Sequence, residues 1–142
     1  MFLVDTNVLS ALAPSQRARH PDLVDWLERS SSYVFLSVVT ASEIAAGIAK
    51  AERLGAAAGA RGLRIWWDSI LNVYGERILP LDLTVAVVAG EMLDAARSFA
   101  PGYPDIAIAA TARVHGMTVL TRNERHFAPL GVDVVDPFIR LP

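Results

Sequence analysis

The sequence predicts an α/β fold, with one central parallel sheet of four to five strands and helices on both faces. Short apolar runs alternate with longer segments of helical pattern, which is typical of a parallel sheet covered on both sides. A length of 142 residues fits one domain. No repeat, linker or low-complexity tract divides the chain, so we expect a single domain over residues 1–142.

The strands are predicted from short runs of aliphatic, β-branched and aromatic residues. Such residues favour extended structure, and continuous apolar runs indicate strands that are buried on both faces. In chain order, the runs are Phe2–Val4, Tyr33–Leu36, Ile78–Leu81, Thr118–Leu120 and Val132–Val135.

The helices are predicted from apolar residues that recur every three to four positions. Pro14 closes the first helix, Pro21 suits the first position of the second, and Gly116 follows the last, where a left-handed residue is favoured. In chain order, the predicted helices are Thr6–Leu12, Pro21–Ser30, Thr40–Ala58, Arg61–Tyr74, Thr84–Ala100 and Pro104–His115.

Composition narrows the function classes. Hydrophobic residues make up 53% of the chain, yet no 18-residue stretch is free of charge, so we predict no membrane span. The first apolar run stops at Asp5 and has no basic segment before it, unlike a signal peptide. The chain has no cysteine, which excludes disulfides and thiolate metal sites. We expect a cytoplasmic location. A net charge of −2 argues against a protein that coats nucleic acid.

Three acidic residues stand where a parallel sheet would gather them. Asp5 directly follows the first strand, and Glu43 and Asp105 lie near the predicted starts of helices. Strand carboxyl ends and helix N-termini share one edge of such a sheet, where ligands bind. Carboxylate oxygens there favour a hard divalent cation, with Mg²⁺ or Mn²⁺ first. Asp82 is left out, because the third strand is expected at the far side of the sheet.

Each acid also has a purely structural interpretation. Asp5 could cap the helix that follows it. Thr40 and Glu43 have the spacing of a capping box. Asp105 could complement the dipole of its helix. The joint pattern favours a metal site, because clustered carboxylates repel one another and a bound cation removes that cost.

Five segments, taken in order along nearly the whole chain, resemble the PIN-domain ribonucleases, specifically the VapC-type toxins of bacterial toxin–antitoxin pairs. The segments are residues 4–10 (VDTNVLS), 37–44 (SVVTASEI), 75–82 (GERILPLD), 104–112 (PDIAIAATA) and 119–127 (VLTRNERHF).

The resemblance implies a site on this chain. Asp5, Glu43 and Asp105 would be metal ligands, with Thr6, Asn7 and Thr121 as supporting polar residues. Asn123 would take the fourth catalytic position, where many relatives carry Asp. An amide can offer its carbonyl oxygen but no charge, which puts a second metal ion in question. His126 stands where the family pattern has Asp before Phe127.

We therefore expect a metal-dependent endoribonuclease in which a metal-activated water hydrolyses RNA, leaving a 5′-phosphate and a 3′-hydroxyl. The resemblance also implies a homodimer and a cognate antitoxin that covers the cleft and carries a DNA-binding part. The surplus of apolar residues between Val38 and Leu71 suggests an antitoxin groove between the N-terminal helices and the third and fourth helices.

Two alternatives stay open. One is a catalytically weak PIN fold that only binds a partner, which Asn123 and His126 favour. The other is a receiver-type signalling domain, although the single acid after the first strand and the position of Lys50, the only lysine, fit it poorly. The three histidines (His20, His115 and His126) are not spaced as metal ligands, and we assign them surface or packing roles.

Overall fold

A single five-stranded sheet, parallel throughout, forms the centre of the molecule. The computed structural model describes residues 1–142. The strand order is β3-β2-β1-β4-β5. The strands are β1 (Phe2–Val4), β2 (Val34–Ser37), β3 (Ile78–Leu79), β4 (Thr118–Leu120) and β5 (Val134–Val135). The predicted fold class and all five predicted strands are confirmed, although β3 and β5 are two residues shorter than expected.

Seven α-helices connect and cover the strands. Short 3-10 turns extend several of them, including Ser10–Leu12 after the first helix. The helices are α1 (Thr6–Leu9), α2 (Pro21–Arg29), α3 (Val38–Arg53), α4 (Ala57–Tyr74), α5 (Leu83–Ala95), α6 (Tyr103–His115) and α7 (Glu124–Phe127). None of them is both long and apolar enough to cross a lipid bilayer.

Alternating residues of the strands pack into two separate hydrophobic cores, one on each face of the sheet. On β1, Leu3 packs on one face and Val4 on the other, and Val119 and Leu120 of β4 repeat this division. The alternation follows from the two-residue period of a strand. One face of the sheet is covered by α1 to α4 and the other by α5 to α7. Helices on both faces are therefore confirmed.

β1 is the central strand. The chain adds β2 and β3 on one side of β1 and then β4 and β5 on the other, so the strand order reverses beside β1. It pairs with β2 on one side and with β4 on the other. The crevice beside such a switch point is where open α/β sheets bind ligands. Receiver domains have the strand order 2-1-3-4-5, which differs from the order seen here.

The start of α3 differs from the prediction. The helix begins at Val38, because the hydroxyl of Ser37 caps it by accepting a hydrogen bond of 3.1 Å from the Val39 amide. The predicted helix start at Thr40 is therefore wrong, the alternative interpretation of Thr40 and Glu43 as a capping box does not hold, and Glu43 lies in the second turn of the helix. The helix also ends earlier than expected, since Gly55 adopts a positive φ of 79° and α4 begins at Ala57.

The predicted helix Thr84–Ala100 is too long. α5 ends at Ala95, and a 3-10 turn over Arg97–Phe99 follows. Ala100 then takes a left-handed conformation with φ 46°, which a residue with a Cβ atom adopts only at a cost. The chain reverses there and enters α6, so this turn lies next to the residues that open α6.

Candidate active site

Asp5 is the buried centre of the polar cluster at the carboxyl edge of the sheet. Its side chain is only 6% exposed. One carboxylate oxygen caps α1 by accepting a hydrogen bond of 2.7 Å from the Thr6 amide. The other accepts hydrogen bonds of 2.7 Å each from the Asn7 side-chain amide and the Thr121 hydroxyl. A carboxylate has about four acceptor positions, so one remains for a further ligand.

Thr121 and Asn7 link the ends of the two central strands. Thr121 follows β4 and is fully buried, and its hydroxyl also accepts a hydrogen bond of 3.0 Å from the Asn123 amide. The side-chain oxygen of Asn7 accepts a hydrogen bond of 3.1 Å from the Arg122 amide. These contacts place the supporting residues suggested by the sequence around Asp5, and they hold its carboxylate in one orientation.

Glu43 reaches the cluster from α3. Its side chain is exposed, and the hydroxyl of Thr6 donates a hydrogen bond to one of its carboxylate oxygens. The contact connects the beginning of α1 with the second turn of α3. Glu43 is therefore drawn towards the same edge as Asp5, although it is less fixed.

Asp105 lies in the first turn of α6 and is 24% exposed. One of its carboxylate oxygens is 3.2 Å from Nδ1 of His126, which lies on α7. The surface or packing role assigned to His126 therefore missed this contact. The only signal in the sequence was that His126 replaces an expected Asp, and spacing among histidines could not reveal it.

The charges of the three acids act on one another. Burial raises the pKa of Asp5 above its ordinary value of 3.8, and the charges of Asp105 and Glu43 raise it further. The hydrogen bonds from Thr121 and Thr6 oppose the rise. Asp5 is thus a carboxylate whose charged form is disfavoured in the protein alone, and a cation beside it would favour that form.

No group of three acidic or histidine side chains stands close enough in this structure to hold one metal ion. Glu43 is bonded to Thr6, and Asp105 to His126, so each is turned towards a protein partner. Both are at least partly exposed and can rotate. The donor set, three carboxylates with one under charge repulsion, fits Mg²⁺ or Mn²⁺ in its chemistry.

Asn123 lies at the mouth of the site. Only its backbone amide takes part, in the hydrogen bond to Thr121, and its exposed side chain makes no hydrogen bond. The next residue towards β4, Arg122, places its guanidinium 3.7 Å from the centre of the Phe138 ring. That contact is a long-range one that the sequence did not indicate.

The sequence pattern of the PIN domain family matches residues 2–131. The chain belongs to the PIN domain family. With the strand order, this membership excludes the receiver-type alternative.

Three curated relatives match almost end to end. The chain is similar to plasmid stability protein StbB of Pseudomonas syringae pv. tomato, at 32% identity over 97% of this chain and 99% of StbB. It is similar to toxin FitB of Neisseria gonorrhoeae, at 34% identity over 97% and 99%. It is also similar to VapC ribonuclease Y4jK of Sinorhizobium fredii, at 29% identity over 97% and 98%.

Two solved structures have the same fold. The crystal structure of FitAcB from Neisseria gonorrhoeae superposes with a TM-score of 0.79 at 32% identity, covering 97% of this chain and 99% of that one. FitAB bound to an IR36 DNA fragment superposes with a TM-score of 0.77 at 32% identity, covering 97% and 96%.

The raised pKa of Asp5 predicts how stability depends on pH in metal-free protein. The folded state binds the Asp5 proton more tightly than the unfolded state, so the free energy of unfolding falls as pH rises from 3.8 through the raised pKa. Asp5→Asn removes this contribution. Carboxyl NMR should give Asp5 a pKa above 3.8 without metal and a lower one with Mg²⁺. A metal-free pKa at or below 3.8 would contradict the prediction.

Proposed function

We propose that this chain is a metal-dependent endoribonuclease that acts as the toxin of a toxin–antitoxin pair. The observation that carries the proposal is the set of Asp5, Glu43 and Asp105, whose charges act on one another at the switch point of a PIN domain. Relatives of near-identical length are named a toxin and a VapC ribonuclease. We place the activity in the cytoplasm, where RNA is available.

Asp5, Glu43 and Asp105 would hold Mg²⁺ or Mn²⁺. When bound, the ion supplies a water of lowered pKa and neutralises charge that builds on the phosphate. No side chain is needed as a covalent nucleophile, and the proposed products carry a 5′-phosphate and a 3′-hydroxyl. Asp5 provides the fixed anchor because three hydrogen bonds hold it.

Glu43 and Asp105 would hold the ion together with Asp5, and to do so each would have to leave its present partner. Thr6 is the partner of Glu43, and His126 is the partner of Asp105. Asn123 lies beside this pair, where its amide oxygen could bind a metal-bound water.

A catalytically weak PIN fold that only binds a partner remains a second candidate. The contact between His126 and Asp105 favours it, since it occupies a proposed ligand. Asn123, which has no negative charge where many relatives carry Asp, also favours this second candidate. A nuclease assay separates the two candidates directly.

A cognate antitoxin is the proposed protein partner, and FitAB bound to DNA suggests that the antitoxin would bring a DNA-binding part. An apolar cavity of about 320 Å³ lies between the N-terminal helices and α4, lined among others by Leu12, Trp66 and Ile70. Contrary to the sequence-based expectation, α3 contributes no residue to it. We propose that an apolar antitoxin segment binds in this groove.

A homodimer is proposed from the outer face of α5. Leu83, Val87 and Leu93 are 80%, 54% and 45% exposed, and Gly90 between them leaves the surface flat. The opposite face of the helix is buried against α6 through Val85 and others. An apolar helix face of this kind is typical of an interface between two copies.

The first functional prediction concerns the proposed ligands. With Mn²⁺ present, the chain should cleave RNA, and EDTA should abolish cleavage. Asp5→Asn and Asp105→Asn should each lower the rate by about 10²-fold or more, because metal activation of water is the main chemistry. Asp82→Asn is the matched control. Asp82 caps α5 after β3, which is the outermost strand and is separated from β1 by β2. Retained activity in both site variants, with purity controlled, would refute the assignment.

The second concerns Asn123. With Asp5, Glu43 and Asp105 ionised, the site holds three negative charges, enough for one divalent ion and a weak second. Asn123→Asp adds a fourth charge and should tighten Mn²⁺ binding, most visibly at low metal concentration. Calorimetric titration of both proteins measures this. Equal affinities and stoichiometries would place Asn123 outside the reach of the metal.

The third concerns the α5 face. Val87→Glu should shift the protein from dimer towards monomer, because it buries an unpaired charge in an apolar interface. Sedimentation velocity over a range of concentrations measures the change. Ile139→Glu, at a residue 84% exposed near the C-terminus, serves as the control. If the wild-type protein is monomeric at every concentration, the proposed homodimer is wrong.

A further inference from the structure

A second cavity, of about 370 Å³, is lined by Asp105, one of the three proposed metal ligands, and by its partner His126. Phe99 and Arg125 also line this cavity. Its volume falls within the roughly 300–1,000 Å³ of ligand pockets. The proposed chemistry uses only Asp105 of this lining, so the rest of the cavity has no role yet.

Phe99 presents an unused aromatic face to this cavity. Its side chain is 66% exposed and belongs to neither core. It makes no pair with another aromatic ring. Phe99 is the last residue of the 3-10 turn before the left-handed Ala100, and it lines the cavity together with Ala100. An exposed ring in the wall of a cleft is a platform on which a nucleic-acid base can stack.

Arg125 supplies a positive charge to the same cavity. Its guanidinium forms no ion pair and no hydrogen bond in the structure, whereas Arg17, Arg64 and Arg97 are each paired with a carboxylate. A guanidinium binds phosphate oxygens through two parallel hydrogen bonds. The cavity therefore combines one stacking surface with one phosphate-binding group.

A cavity of about 350 Å³ on the Asn7 side of the site shows the contrast. It is also lined by an arginine and a phenylalanine, Arg122 and Phe138. There, however, the guanidinium of Arg122 lies over the Phe138 ring at 3.7 Å, and the His20 ring packs against Phe138 in a T-shaped arrangement with ring centres 4.8 Å apart. The Phe138 ring is already in contact with two side chains, so we assign the stacking position to Phe99.

We propose that Phe99 and Arg125 form a subsite for one unpaired nucleotide next to the scissile phosphate. The base stacks on the Phe99 ring, and a neighbouring phosphate binds Arg125. The proposal rests on the ribonuclease function proposed above, and it assigns to Phe99 and Arg125 the positioning of one nucleotide of the substrate. A paired base is already stacked between its neighbours and cannot reach the Phe99 ring.

The test uses a short single-stranded oligoribonucleotide that wild-type protein cleaves, and variants of it with one abasic nucleotide at each position around the cut. At one flanking position, loss of the base should raise the KM of the wild-type protein about 5- to 150-fold, the range of one stacked base. Phe99→Ala should raise KM by a similar factor on the intact RNA. The abasic nucleotide should then cause no further rise in the KM of Phe99→Ala, because the substitution and the missing base remove the same contact.

Phe99→Tyr should keep the wild-type KM, since it retains the ring. Tyr33→Ala is the matched control, because Tyr33 is 62% exposed but precedes β2 at the opposite edge of the sheet. Phe99→Leu repeats the test if Phe99→Ala is unfolded by circular dichroism. Annealing the complementary strand over the cut should suppress cleavage by the wild-type protein.

Arg125→Gln should weaken binding of every RNA sequence similarly and lower the slope of log affinity against log salt by about 1, whereas Arg97→Gln should leave the slope unchanged. If each abasic nucleotide raises KM equally in the wild-type protein and in Phe99→Ala, and both still cleave RNA, the proposed subsite is wrong. The proposed ribonuclease function would be unaffected by that result. A wild-type protein that cleaves no RNA with Mn²⁺ would overturn both.

Discussion

The organisation of the cleft depends on the hydrogen bonds around the Asp5 carboxylate. They join the end of β1 to the start of α1 and to Thr121 at the end of β4. The two strands belong to parts of the chain separated by 116 residues, and their carboxyl ends meet at the switch point of the sheet. Because the carboxylate caps a helix and bridges two strands, its position is set by the fold itself. The same bonds limit how far burial raises its pKa.

The proposed ligands differ in how firmly they are held. Asp5 is buried and has three donors, whereas Glu43 and Asp105 each have one side-chain partner at the edge of the cleft. If the proposed ion binds, Glu43 and Asp105 would exchange these hydrogen bonds for bonds to the metal. The release of Thr6 and His126 would then lower the net affinity for the cation.

The strands could be predicted because each is a short apolar run with a clear boundary, such as the change from Val4 to Asp5. The start of α3 could not, since Ser37 and Thr40 are both good caps and the sequence alone does not tell which one adopts the extended conformation. The position of Asp5 followed from its place at the end of the first strand, whereas Thr121 and Asn7 were indicated only by the resemblance to PIN-domain ribonucleases. The contact between His126 and Asp105 could not be predicted, because it depends on how α7 packs against α6, which local patterns do not encode.

The pairing of β1 with β4 also determines when the cleft can form during synthesis of the chain. The central strand β1 is made before the other four strands, yet one of its two neighbours is β4, which is made after β2 and β3. Contacts so distant in sequence form late and slowly. A growing chain therefore holds Asp5 and Glu43 long before it contains Asp105 and Thr121. The cleft can therefore form only after β4 and Thr121 have been synthesised.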